Sequence, residues 1–486
     1  MKNVTKKLLS LGLCAAMVAG MTACGDSGNG DTPATGNTPE TVQQSGNGNG
    51  DTPASDSGAG NGGTVYNEGE TRTIRIGTWF DQYYDSTHTD IYDNPNMNNE
   101  EQANAQFNNL KEVEERYNVR IEFVNLTWDG IQESINTSIL AGTPDCDIYQ
   151  GDMTFLIPAA LNGFCTNLAD ILPADDDLFN DQMIFAPTDL GNGDGVYIFK
   201  TVTGEAKYTD TYPLAFNGQM LADAGLENPN DLYARGEWTW EKWREYLIAL
   251  TQDTDGDGVI DQYGFSSRFD FLVTNLLTSN GTYIAKNGTE NLTSTEVGEV
   301  LEFIYNMYNV DRVARPWDSD DFDSNQNAYL NGNVACWITA AWIAAPNGNN
   351  DGALGWDIIW APWPIGPHGN QETNNLRNGA AGNAWMIPTG AKDPELIYTV
   401  FQDWQNWYNG DTDFRDQDMT WWEDSAMTEE NLEVMGYLGS REGIELWNAL
   451  GEIWQWPDLL NGVNTPAQYQ EIYKQPCQDA LDGFFN

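Results

Sequence analysis

Strand-like and helix-like hydrophobic patterns alternate through the region that begins near residue 71. "TIRIGTWF" alternates apolar and polar positions as a half-buried strand does. The next segment has apolar residues at helical spacing: Phe107, Leu110, Val113 and Tyr117. "RIEFVNL" is a second strand pattern, followed by a helix pattern that ends at Gly142 and by a third strand at "CDIY". This β-α-β-α-β order predicts an α/β fold with a mostly parallel sheet.

Loops at the carboxyl ends of parallel strands form the ligand crevice of such sheets. Two of these loops, "TWFDQYY" and "YQGDMTF", combine aromatic and polar residues. We therefore expect ligand contacts from Trp79, Phe80, Asp81, Gln150 and Asp152, with solvated loop positions as the alternative.

The N-terminus predicts export. Lys2, Lys6 and Lys7 precede an apolar stretch too short to span a bilayer, and "MTAC" ends at Cys24. Residues 1–24 resemble a bacterial lipoprotein signal peptide with Cys24 as the lipid attachment site; an ordinary secretory signal is the alternative. The most apolar later stretch, Val334–Pro346, is too short to cross a membrane. We expect a protein on the extracellular face of the membrane, anchored only by lipid.

Residues 25–70 are rich in Gly, Asn, Ser, Thr, Pro and Asp and contain no Trp, Phe, Lys or Arg. Such a segment buries too little apolar surface to offset its ordering entropy, so it is predicted to be a disordered tether. The remaining residues exceed the usual size of one core and predict two domains.

The net charge restricts the kinds of partner that the protein can bind. The net charge of −51, from 73 acidic and 22 basic residues, argues against nucleic acid and anionic lipid surfaces.

The four cysteines after Cys24 match no metal-binding spacing, and buried free thiols are favoured over disulfides: Cys146, Cys165, Cys336 and Cys477.

"DTDGDGVIDQYG" has the spacing of most of an EF-hand calcium loop, but Gly264 stands where that loop has its bidentate Glu. No second loop and no immediate second helix pattern follow, so a structural calcium is favoured over a sensor. An ion-free turn held by Asx hydrogen bonds is the alternative. The predicted ligands are Asp253, Asp255, Asp257, the Val259 carbonyl and Asp261.

Ordered phrases along the chain resemble extracellular solute-binding proteins of carbohydrate ABC importers, the maltose-binding-protein-like family. They include "LKEVEERYNVRIEF", "ILAGTPDCDIY", "YPLAFNGQMLADAGLENP", "LGWDIIWAPWPIGP" and "GNAWMIPTGAKDPELIYTVFQDW", and they extend from about Thr71 to Asp403. The resemblance implies a two-lobed, type II periplasmic-binding-protein-like fold with ligand between the lobes. It implies an N-terminal lobe of residues 71–185 plus 357–408 and a C-terminal lobe of residues 186–356 plus 409–486.

The same resemblance implies further site residues. "NGNVACWITAAWIAAP" is similar to the family's cleft-tryptophan segment and places Trp342, and less firmly Trp337, against ligand. Cys336 and Ala340 depart from the family's usual Met and Gly. Asn280 lies in a segment where relatives have a cleft loop, and Arg377 and Asn378, in the Gly-rich approach to "GNAWMIP", are further candidates, with solvated loop positions as the alternative.

The implied function is a monomeric receptor that captures a carbohydrate, expected to be an oligosaccharide because aromatic residues are abundant, and delivers it to ABC permease subunits. Glycoside hydrolysis needs only two carboxylates, so a secreted hydrolase remains an alternative, as does a glycan-adhesion module. Only two histidines, His88 and His368, are present, which disfavours histidine-based catalysis. We expect no enzyme activity. The sequence does not identify the sugar.

Overall fold

A six-stranded and a four-stranded β-sheet organise the described residues, and two further sheets have two strands each. The computed structural model describes residues 69–79, 83–94, 97, 99–179, 185–187, 195–201, 211–267, 269–317, 322–345, 351–372, 374, 377–378, 383–439, 442–443, 446–450 and 453–485. The strands are β1 (Arg72–Thr78), β2 (Val119–Asn125), β3 (Ile148–Asp152), β4 (Phe185–Pro187), β5 (Phe199–Thr201), β6 (Leu214–Asn217), β7 (Tyr263–Phe265), β8 (Ala285–Lys286), β9 (Thr289–Glu290), β10 (Val334–Ile338), β11 (Ile358–Ala361), β12 (Arg377–Asn378), β13 (Asn383–Met386) and β14 (Glu442–Gly443).

The first sheet has the order β2-β1-β3-β13-β5-β4. β1 pairs in parallel with β2 and β3, and Ile76 lies opposite both Phe123 and Ile148. β13 pairs antiparallel with β3 and β5. The predicted parallel β-α-β-α-β unit is therefore present, and a strand from much later in the chain extends it.

The second sheet has the order β11-β6-β10-β7. β6 is antiparallel to both β10 and β11, while β10 is parallel to β7. All five residues of β10 are buried, which fits its almost uninterrupted apolar sequence "VACWI". The two sheets with their helices match the predicted two-lobed α/β fold.

Helices cover both sheets. They are α1 (Glu100–Tyr117), α2 (Trp128–Ser138), α3 (Met153–Leu161), α4 (Gly218–Asp223), α5 (Pro229–Ala234), α6 (Trp240–Leu250), α7 (Phe269–Ser279), α8 (Thr295–Tyr305), α9 (Phe322–Leu330), α10 (Ala341–Ala344), α11 (Pro394–Gln405), α12 (Thr412–Arg415), α13 (Thr420–Ala426), α14 (Glu429–Gly439), α15 (Trp456–Leu460) and α16 (Pro466–Phe485). None of the described helices is both long and apolar enough to cross a membrane.

Strand membership differs from the lobe boundaries that the family resemblance implied. β5 lies within the range assigned to the C-terminal lobe but pairs in the first sheet. β11 lies within the range assigned to the N-terminal lobe but pairs with β6 in the second sheet. Strand partners are chosen across long stretches of sequence, which phrase-by-phrase resemblance does not resolve. The four cysteines at positions 146, 165, 336 and 477 are buried, and none of them forms a disulfide within the described structure, as expected.

Candidate functional site

Three aromatic side chains meet at the carboxyl edge of the first sheet. Because β1, β2 and β3 are parallel, the residues that follow them lie at one edge. Trp79 follows β1, Trp128 begins α2 after β2, and Phe155 lies in the first turn of α3 after β3. The Trp128 ring lies 5.0 Å from Trp79 and 4.6 Å from Phe155, between ring centroids. Trp128 is 39 % exposed, so one face of this cluster is open to solvent.

Helix caps hold the cluster in place. The Thr127 hydroxyl accepts a hydrogen bond from the Gly130 amide and caps α2. The Asp152 carboxylate accepts from the Thr154 amide at 2.8 Å and from the Thr154 hydroxyl at 2.6 Å, which caps α3. The sequence predicts that Asp152 contacts ligand. In the structure, its Oδ1 accepts the hydrogen bonds that cap α3, the helix that carries Phe155.

Gln150 lies within β3 and is buried. Its side-chain oxygen accepts a hydrogen bond from the Thr78 hydroxyl at 3.5 Å, and it lies opposite Trp385 of β13. In this arrangement Gln150 supports the end of β1 at Thr78, the residue before Trp79. Its predicted ligand contact stays a prediction.

Trp342 is an exposed tryptophan beside the second sheet. It lies on α10, directly after β10, and is 40 % exposed. Helix α10 packs against α13, whose Trp421 and Trp422 are half-buried and lie 4.4 Å apart between ring centroids. Three tryptophans therefore lie on two adjoining short helices. A flat indole that keeps an open face can stack on the apolar C–H face of a sugar ring.

Trp337 and Asn280 have buried positions. Trp337 lies within β10 and stacks on Tyr329, with the ring planes 22° apart. Asn280 donates a hydrogen bond to the Glu296 carbonyl at 3.0 Å, and its side-chain oxygen accepts one from the His368 amide at 3.0 Å. Asn280 thus fastens the loop before residue 370 to the end of α7. These contacts are structural, and ligand contact by either residue remains a prediction.

The other four predicted ligand residues form two adjacent pairs in the sequence. Phe80 and Asp81 lie outside the described residues, as does the predicted lipid attachment residue Cys24. Arg377 and Asn378 form β12, which pairs in parallel with β14.

Sequence reasoning missed Trp128 and Phe155. The carboxyl ends of all three parallel strands lie at one edge, so the loop after β2, where Trp128 lies, belongs to the same edge as the loops after β1 and β3. Phe155 is part of the quoted loop "YQGDMTF" and follows Asp152 closely.

The acidic loop after α6 brings three of its carboxylates together. Asp253, Asp255 and Asp261 are exposed, and each can offer an oxygen within 4.8 Å of the others. The Asp253 carboxylate accepts from the Gly256 amide at 2.7 Å and from the Gly258 amide at 2.8 Å. Both glycines have positive φ angles, 79° and 90°, which a side chain would oppose.

The rest of the loop folds around backbone amides. Asp261 accepts from the Thr254 amide and hydroxyl, and these hydrogen bonds lower the pKa of the Asp261 carboxyl. Asp257 lies outside the converging group and accepts from the amide of Val259 at 2.8 Å. Carboxylate oxygens are the ligands that Ca²⁺ prefers, so three of the predicted ligands fit a cation and Asp257 fits less well.

Solved structures of known proteins share this fold. The maltose/maltodextrin-binding domain MalE from Bdellovibrio bacteriovorus, bound to maltotriose, is 14 % identical with a TM-score of 0.53, covering 84 % of this chain and 100 % of that chain. The GacH receptor of Streptomyces glaucescens, solved unliganded and with acarbose, is 16 % identical with a TM-score of 0.55, covering 85 % and 99 %. An ABC substrate-binding protein from Listeria monocytogenes in complex with cycloalternan is 13 % identical with a TM-score of 0.52, covering 85 % and 99 %.

No curated protein sequence matches the chain. The family model described as "Bacterial extracellular solute-binding protein" matches residues 95–412. This match includes β2 and β3 of the first sheet, all of the second sheet and the strand β13 that returns to the first. The chain therefore belongs to the family of bacterial extracellular solute-binding proteins.

Proposed function

We propose that this protein captures an oligosaccharide for an ABC importer. The observation that carries the proposal is a pair of exposed tryptophans in equivalent positions: Trp128 follows a strand of the first sheet, and Trp342 follows a strand of the second. The Trp128 ring is supported by the rings of Trp79 and Phe155, and the helix that carries Trp342 packs against the helix that carries Trp421 and Trp422. Each exposed indole can therefore serve as a platform for a sugar ring. Two separate platforms suit a ligand of several rings better than a monosaccharide. Solved structures with this fold contain maltotriose, acarbose and cycloalternan.

The partner that follows from this role is the permease of an ABC transporter, to which a monomeric receptor would deliver its ligand. Closure of two lobes over a sugar removes water from the bound hydroxyl groups and strengthens their hydrogen bonds. The proposed site therefore needs no catalytic group, only platforms and hydrogen-bonding side chains.

The proposed cellular position is the extracellular face of the membrane, with a lipid on Cys24 as the anchor and residues 25–70 as the tether. The support is the charged and apolar sequence of residues 1–24 and the composition of residues 25–70. A tether allows the receptor to search near its permease without diffusing away.

A structural calcium is proposed for the loop after α6. When bound, it would neutralise the carboxylates of Asp253, Asp255 and Asp261, which otherwise repel one another at this spacing. The chain's own residues arrange the loop: backbone amides fix the carboxylates, and Thr254 holds Asp261. The site would stabilise the connection from α6 to β7.

Calorimetry of the purified protein against linear and cyclic glucose oligosaccharides, with xylo- and cello-oligosaccharides for comparison, tests the proposed function. We expect saturable binding of at least one oligosaccharide and much weaker binding of its monosaccharide. Prolonged incubation followed by chromatography should recover the ligand intact. Turnover that copurifies with the protein would favour the glycoside hydrolase alternative, and absence of binding across the panel would contradict a carbohydrate receptor.

A further inference from the structure

A buried carboxylate lies against the segment that carries Trp342. Asp351 is 1 % exposed, and its Oδ2 accepts a hydrogen bond from the Thr339 hydroxyl at 2.6 Å. Within the described part of the chain, its Oδ1 has no hydrogen-bond partner. An ionised carboxylate in this position has lost its hydration in exchange for one hydrogen bond. Burial therefore disfavours the ionised form.

The groups around Asp351 do not compensate for this burial. Helix α9 contributes the buried Tyr329, whose hydroxyl is close enough for the Asp351 charge to raise its pKa further after burial has done so. Helix α13 carries only acidic charges, Glu423 and Asp424, both exposed. No described basic side chain forms an ion pair with Asp351. Burial raises the pKa of the Asp351 carboxyl to about 6, while the Thr339 hydrogen bond lowers it.

Contacts connect Asp351 to both ends of α10. Thr339 lies just before the helix, and its amide donates to the Pro213 carbonyl at 3.1 Å, which continues the pairing of β10 with β6. On the other side, Gly352 follows Asp351 and lies against the Ala344 carbonyl at the end of the helix, where an added Cβ would be 3.5 Å away. The helix itself is short: the amides of Ile343 and Ala344 both donate to the Ala340 carbonyl at 3.0 Å. Such a helix depends on its surroundings for stability.

We propose that Asp351 is a pH-sensitive positioning residue, through which protonation stabilises the binding-competent position of α10 and Trp342. This proposal rests on the proposed function, because Trp342 is its ligand platform. Ligand affinity would then be regulated by pH, and the receptor binds its ligand more tightly in a mildly acidic medium than at neutral pH.

The raised pKa of the Asp351 carboxyl determines the direction of the pH effect. A carboxyl whose folded-state pKa is raised binds its proton more tightly when α10 is in place than when the segment is loosened and Asp351 is hydrated. The stabilisation is complete below the ordinary value of about 3.9 and is lost as pH rises from about 4 to about 6. Between pH 5 and pH 7.5 the equilibrium between the two arrangements changes by at most about tenfold.

Hydrogen exchange tests this coupling without ligand. We expect protection of the Ile343 and Ala344 amides to decrease by up to about tenfold from pH 5 to pH 7.5 in the parent protein, after correction for intrinsic exchange. Asp351→Asn should remove this dependence, whereas Thr339→Val should move it to higher pH because the hydrogen bond that lowers the pKa is gone. The exposed neighbour Asp357 provides the control, and Asp357→Asn should behave as the parent does. Equal pH profiles in the parent and Asp351→Asn would overturn the proposal, and so would loss of the dependence in the control.

Maltotriose binding provides the second measurement. Its dissociation constant should rise by up to about tenfold between pH 5 and pH 7.5 in the parent and stay constant in Asp351→Asn. The same rise in both proteins would contradict a role for Asp351. If maltotriose does not bind at all, the choice of ligand class fails, while the exchange experiment still decides whether Asp351 controls α10.

Discussion

At the scale of single residues, Trp342 is the side chain on which the proposed affinity depends most. Truncation of a buried aromatic anchor typically costs about 2 kcal/mol, by analogy with protein interfaces, which corresponds to roughly 30-fold in affinity. We expect Trp342→Ala to weaken oligosaccharide binding by about that factor and to lower the free energy of unfolding by at most about 1 kcal/mol, because the residue is already 40 % exposed. Ile472, exposed on α16, gives the control variant Ile472→Ala. Parental affinity in Trp342→Ala would show that this ring does not contact ligand.

Trp128 is the corresponding residue of the first lobe. Its ring packs edge-on against Trp79 and obliquely against Phe155, so truncation also loosens those rings. Trp128→Ala should weaken binding by about tenfold and lower the stability by at most about 1 kcal/mol. Tyr92→Ala, at an exposed aromatic of the same lobe away from the strand ends, should change neither. Calorimetry combined with thermal unfolding separates the two effects, and equal affinity of the Trp128 and Tyr92 variants would contradict a platform at this edge.

Side-chain exposure divides the predicted site residues into two groups. The placement of Trp79 and Trp342 after strands follows from local pattern and from the family resemblance. The burial of Gln150 and Trp337 does not, because the face of a strand that is covered depends on the elements packed against it. Trp337 was expected near ligand, but Tyr329 of a separate helix covers it.

At the scale of elements, the acidic loop between α6 and β7 gives the clearest test of a metal. Asp255 accepts one backbone hydrogen bond, from the Asp257 amide, and belongs to the converging carboxylates. We expect EDTA to lower the melting temperature by about 2–4 °C, which calcium should restore, and Asp255→Ala to abolish this response.

Asp257 provides the matched variant for that experiment. It also accepts one backbone hydrogen bond but lies outside the converging group, so Asp257→Ala should keep more of the calcium response. A melting temperature that EDTA leaves unchanged in the parent protein would exclude a structural ion under the conditions used.

The elements themselves were predictable only where their contacts are local. The alternation of strand and helix patterns before residue 152 predicts the parallel part of the first sheet, since each strand pairs with one nearby in sequence. The membership of β13 in that sheet, and of β11 in the other, depends on pairings with distant strands. No local hydrophobic pattern contains that information.

At the scale of the whole molecule, the proposed tether would separate membrane attachment from ligand binding. Cys24→Ala should move the protein from the membrane fraction to the soluble fraction, because the proposed anchor is a lipid on that cysteine. Oligosaccharide affinity of the released protein should equal that of the parent, since Cys24 and the binding residues are far apart in sequence. Fractionation with a blot measures the first result and calorimetry the second. Persistent membrane association of the variant would contradict lipid anchoring.

The position of β13 also determines how the protein can be divided. β13 lies between β3 and β5 in the first sheet, yet the whole second sheet precedes it in the chain. A fragment that stops before residue 383 would leave the backbone N–H and C=O groups of β3 unpaired along one side. Open strand edges of this kind recruit strands from other chains. The two lobes therefore fold together, and a fragment that stops before residue 383 would aggregate when it is expressed alone.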